Sequence, residues 1–169
     1  MVKGNVIFEQ HGFAKPVKIT GNLELPYAEA KFGLFVTTYG RHRCNGHSKE
    51  RVAHRFGWTG RHYNPTNSDH GSSDDCVRHI GDLWPVKSDE ESKASFVEFD
   101  HRVQLQGPNS IVGRSLSILL HEEDNKRETS ARIGCGVIAF RRNTTFVPAV
   151  FGHVVILDFP PRMLPIAKE

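Results

Sequence analysis

The chain has 169 residues, enough for one domain and awkward for two. Its 22 Lys and Arg against 19 Asp and Glu leave a net charge of +3, too mild an excess to mark a nucleic-acid binder. With 38% apolar and 24% charged residues the composition is that of a chain with material for a core, no apolar run suffices for a membrane span, and the bias of disordered, collagen-like or coiled-coil sequence is missing.

In chain order, hydrophobicity alternates with period two. Met1-Val2-Lys3-Gly4 opens straight into strand-like sequence. Val17, Ile19, Gly21 and Leu23 share one face opposite Lys18, Thr20 and Asn22. Leu34 and Val36 oppose Phe35, Thr37 and Tyr39; Val97 and Phe99 alternate with Phe96 and Glu98; Leu116, Ile118 and Leu120 alternate with Ser117 and Leu119. Ile133, Cys135 and Val137, then Val154, Ile156 and Asp158, continue the pattern. Gly, Pro, Asn and Asp bound many of these runs, and no window carries a 3.6-residue stripe. The expected fold is all-β, an antiparallel sandwich or flattened barrel.

One region departs from this. From Arg41 to about Val86 apolar residues are few, and Gly, His, Ser, Asp and Arg are many. A loop of that length in a compact domain needs something besides a core to hold it. His62, His70, His79 and Asp82 supply three imidazoles and a carboxylate, a complete tetrahedral zinc set. Four protein ligands leave no open position, so the ion reads as structural, a cross-link offsetting the chain entropy of the loop. Scattered surface histidines are the alternative. Ten His in the chain already hint at metal chemistry.

His62-Tyr63-Asn64-Pro65, His70-Gly71 and His79-Ile80-Gly81-Asp82-Leu83 resemble the zinc loop of copper/zinc superoxide dismutases. So do Gly113-Arg114-Ser115-Leu116 leading to His121-Glu122, and Arg132-Ile133-Gly134-Cys135-Gly136-Val137-Ile138. Residues 3–10 are similar to that family's second strand. The resemblance runs from about residue 1 to 140 and implies a Greek-key β-barrel with a long zinc loop, leaving 141–169 as a C-terminal extension. It implies that His62 bridges copper and zinc, that His70, His79 and Asp82 complete the zinc set, that His121 is a copper ligand, and that Arg132 guides the superoxide anion. A homodimer is the family's common assembly.

The departures from the family bear on activity. Phe35 and Thr37 stand where a His-x-His pair would supply two copper ligands, so only His62 and His121 remain of four. Copper(II) prefers a nitrogen-rich tetragonal site, so copper is a doubtful cofactor and dismutation is expected to be lost, with Arg132 vestigial or a loop anchor. Cys135 resembles the barrel cysteine, but its usual partner position is Phe56; Cys44 is the candidate partner, and Cys76 reads as an incidental thiol. Residues 41–61 form a basic stretch with six Arg or Lys against one Glu, open to reading as a solvated loop, an anion patch or a second metal site. Residues 122–131 are short for the family's electrostatic loop. The family's first strand has no counterpart at the start, and residues 153–159 are expected to return into that slot beside Val6 and Val137, where an unpaired edge would otherwise remain.

Two functions from different classes follow. One is a zinc-binding, non-enzymatic binding or structural protein. The other is a residual superoxide dismutase with copper held by His62, His121 and loop histidines such as His42 or His47. A dismutase-like copper chaperone is disfavoured, because no Cys-x-Cys or Cys-x-x-Cys occurs. With no apolar leader before the first strand, the cytoplasm is the default location and the extracellular space stays open.

Overall fold

The computed structural model describes residues 2–40, 59–120, 132–140 and 152–155. Eight strands appear there and no helix. They are β1 (Lys3–Gln10), β2 (Val17–Glu24), β3 (Lys31–Thr37), β4 (Asp82–Lys87), β5 (Lys93–Asp100), β6 (Ser115–Leu120), β7 (Arg132–Val137) and β8 (Gly152–Val155). They build two four-stranded antiparallel sheets, ordered β5-β2-β1-β8 and β4-β3-β6-β7. The non-consecutive neighbours β2–β5 and β3–β6 make this the Greek-key β-sandwich expected of the sequence.

The inward faces follow the period-two reading. Val17, Ile19 and Leu23 of β2 meet Leu34 and Val36 of β3 and Leu116 and Ile118 of β6 in one core with Val6 and Phe8 of β1. All are essentially without solvent contact. Each such side chain contributes about 1.5–3 kcal/mol through burial, which is what sets strand register: a one-residue slip would turn the whole set outward.

One detail differs from the sequence reading, and a second settles what it left open. The long loop ends earlier, because Asp82 opens β4 rather than lying in the loop. In β5, Val97 and Phe99 face solvent, at 55% and 63% exposed, while Ala94 and Asp100 are buried. Alternation alone does not say which face is inner when both carry apolar residues; pairing with β2, whose inward set is unambiguous, decides it.

β8 lies against β1, with Val155 opposite Val6 and Gly152 opposite Glu9. Residues 156–159 of the expected C-terminal strand lie outside the described residues, as do most of the basic stretch (41–58), with His42, Cys44 and His47, and residues 121–131, with His121.

Candidate metal centre

β3 organises the site. Its last residues pair with β6 on one side and with two pieces of the long loop on the other. Val36 accepts from Tyr63 N at 2.8 Å and donates to Gly81 O at 2.9 Å, while Thr38 and Tyr39 donate to Arg61 O and Thr59 O. Gly81 N in turn donates to Tyr63 O. This interleaving requires Gly81, since a Cβ there would lie 2.3 Å from Val36 O. His62 is thereby bridged to Thr37 in the backbone. A β-bulge between Gly33 and Phe35 sets Phe35 opposite Asp82 at the start of β4.

Around Asp82 the four expected zinc ligands converge. His62, His70, His79 and Asp82 offer ligand atoms within 4.8 Å of one another, and all but His70 are buried. His62 Nδ1 lies 2.8 Å from Asp82 Oδ1, His70 Nδ1 2.9 Å from Oδ2, and His79 Nδ1 3.3 Å from Oδ1. Backbone N–H groups of His79 and Gly71 also donate to Oδ2, at 3.0 and 3.3 Å. The rings do not stack on one another; their planes are inclined by 46–79° at centroid distances of 5.3–5.9 Å, splayed about a common centre. Burial by itself would raise the Asp82 carboxyl, but hydrogen bonds and charge from His62 and His70 outweigh it and hold the group well below the ordinary carboxylate range.

These residues fit zinc. The donor set is borderline nitrogen with one oxygen, as tetrahedral zinc takes. His79 Nδ1 is buried and makes no hydrogen bond among the described residues, the kind of orphaned atom that an ion would satisfy. On the β3 positions beside His62, Phe35 stacks its ring on the imidazole, with centroids 4.0 Å apart and planes 19° from parallel. Thr37 turns its hydroxyl to Ser115 O at 3.2 Å and to Ser117 Oγ at 3.0 Å, with Thr59 Oγ1 3.3 Å beyond. These groups are hydrogen-bonded to one another and fully buried.

The loop is also clamped away from the ligands, in part by residues to which the sequence reading gave no role. Arg78 is buried and donates to Asp100 Oδ2 at 2.7 Å and to the backbone oxygen of Asp82. Asp100 Oδ1 accepts from the backbone of Arg102 and Val103, and Arg102 reaches back to the oxygens of Arg78 and Cys76. Arg114 sits 3.5 Å over the Tyr63 ring and donates to Thr38 O. The Arg-x-x-x-Asp run before β4 and the Asp closing β5 were the available signals. Arg132 is buried and donates to Gly60 O at 2.5 Å, tying β7 to the loop. Cys135 is buried and disulfide-bonded, whereas Cys76 is a free, exposed thiol; Cys44 lies outside the described residues.

Comparison with known proteins identifies the family. The family model for copper/zinc superoxide dismutase matches residues 2–138. A protein of the Autographa californica nuclear polyhedrosis virus, named as an inferred superoxide dismutase (Cu-Zn), is 34% identical over 149 residues, covering 82% of this chain and 91% of its own. A superoxide dismutase (Cu-Zn) of Cryptococcus neoformans var. grubii is 33% identical, covering 81% and 89%. Superoxide dismutase (Cu-Zn) 5 of Dictyostelium discoideum is 32% identical, covering 83% and 92%.

Proposed function

This chain belongs to the copper/zinc superoxide dismutase family, and from that premise we propose that it is a zinc-binding member that has lost superoxide dismutation and serves a non-enzymatic binding or structural role. One observation carries the reading. The two β3 positions where the family resemblance puts copper-ligating imidazoles hold a phenyl ring stacked on His62 and a hydroxyl bound to Ser115 and Ser117. An apolar ring and a satisfied alcohol offer copper no nitrogen, and dismutation needs an ion that cycles between two oxidation states in a fixed nitrogen-rich geometry.

His62, His70, His79 and Asp82 would hold the zinc, which supplies a cross-link for a loop with little apolar burial. Arg132 acts as a loop anchor through Gly60 O in this reading, rather than as an anion guide. In this reading Cys44 is the partner of the disulfide-bonded Cys135, which the free state of Cys76 supports. β8 takes the edge position beside β1 that the family's first strand would fill.

The test is elemental analysis of the purified protein and a dismutation assay after copper loading. One zinc and no retained copper per chain, with no turnover, is the expected result. Turnover abolished by His121→Ala would instead establish a residual dismutase using His62, His121 and loop histidines.

A further inference from the structure

We propose that Phe35 is a positioning residue of the zinc centre: its ring sets the plane of the His62 imidazole, so that Nδ1 presents its lone pair to the ion. The inference rests on the zinc reading above. An imidazole nitrogen donates in the plane of its ring, so the ring must be held against rotation as well as against translation. The contact with Asp82 Oδ1 holds the Nδ1 edge of the His62 ring, and a group packed flat on its face adds resistance to rotation about the Cβ–Cγ bond. His70 and His79 meet it at 55° and 79°. Among the ring contacts of the described residues, Phe35 alone lies nearly parallel to it, at 19° and 4.0 Å.

Phe35 is itself held in that pose. Its ring folds back along β3 over Gly33, where a Cβ would stand 2.5 Å from Cε2 and 3.0 Å from Cζ. The missing side chain of Gly33 is therefore the space the phenyl ring occupies. The bulge between these two residues turns Phe35 to face Asp82 across the strand pair. Gly33, Phe35 and His62 form a chain of contacts in which the first residue controls the third without touching it.

Three variants test this, read by zinc competition against a chromogenic chelator and by the visible spectrum of the cobalt(II)-substituted protein. Phe35→Leu removes the ring and keeps apolar volume. Gly33→Ala displaces the ring and leaves every side chain of the centre in place. Phe35→Tyr keeps the ring. The expected result is that the first two, measured on folded protein, bind zinc on the order of 10-fold more weakly with altered cobalt bands, while Phe35→Tyr matches the unsubstituted chain in both. Wild-type affinity and spectrum in Phe35→Leu would overturn the inference whether or not Gly33→Ala folds, and so would equal weakening in Phe35→Leu and Phe35→Tyr. If the unsubstituted chain binds no zinc, the zinc reading itself fails, an outcome distinct from either of these.

Discussion

Arg78 and Asp100 form a buried ion pair, 2.7 Å between Nη2 and Oδ2, that joins the loop carrying three of the candidate ligands to the end of β5. Both side chains are about 95% or more shielded, so neither charge has water to fall back on. Removing one partner strands the other, which typically costs about 3–5 kcal/mol. Asp100→Ala also frees the Arg102 and Val103 N–H groups that its other oxygen accepts. Denaturant unfolding of this variant is expected to show a loss of that size; a loss under about 1 kcal/mol would mean that the clamp adds little.

Metal removal gives a second expectation. The loop between Thr59 and Asp82 contributes few side chains to the core, chiefly Tyr63 and Ile80, so the proposed zinc would add a cross-link to the Arg78–Asp100 clamp. A chelator should lower the melting temperature of the zinc-loaded protein. Asp82→Asn should abolish that difference, because the carboxylate is the one group that all three histidines approach. A chelator-sensitive melting temperature in Asp82→Asn would argue against these four residues as the ligands.

The β3 face can be converted. Phe35→His with Thr37→His returns imidazoles to the two positions beside His62. After cupric loading and desalting, this double variant is expected to retain about one copper per chain, and the parent none. Equal retention by both proteins would contradict the proposal that Phe35 and Thr37 deprive the chain of a copper site.

Thr37 offers a finer test. Its hydroxyl is fully buried between Ser115 O, Ser117 Oγ and, through Ser117, Thr59. Thr37→Val preserves shape and deletes a donor, leaving partners underused at a cost of about 1–3 kcal/mol. A neutral or stabilising result in thermal unfolding would show that this hydroxyl ladder is not a constraint on the strand pair.

At the other sheet, Val154→Pro removes a backbone donor opposite Ile7 in the β1–β8 ladder. Amide exchange at Val6 through Glu9 is expected to accelerate in this variant relative to the β2 amides. Unchanged protection along β1 would mean that β8 does not shield that edge.

The fold class and the ligand types were legible in the chain itself, for local reasons. Period-two alternation through Val17, Ile19 and Leu23, or Leu34 and Val36, is a property of consecutive residues and leaves a strand only one face to bury. A long apolar-poor stretch with His62, His70, His79 and Asp82 states a chemistry by composition alone. Tertiary structure decided what depends on approach between distant segments. It turned Val97 and Phe99 outward, opened β4 at Asp82, placed Phe35 flat on His62, and buried Arg78 against Asp100. None of these is encoded by spacing, because each follows from strand register and a bulge that only the packed sheets impose. Side-chain chemistry is written residue by residue, whereas orientation is a property of the assembled core.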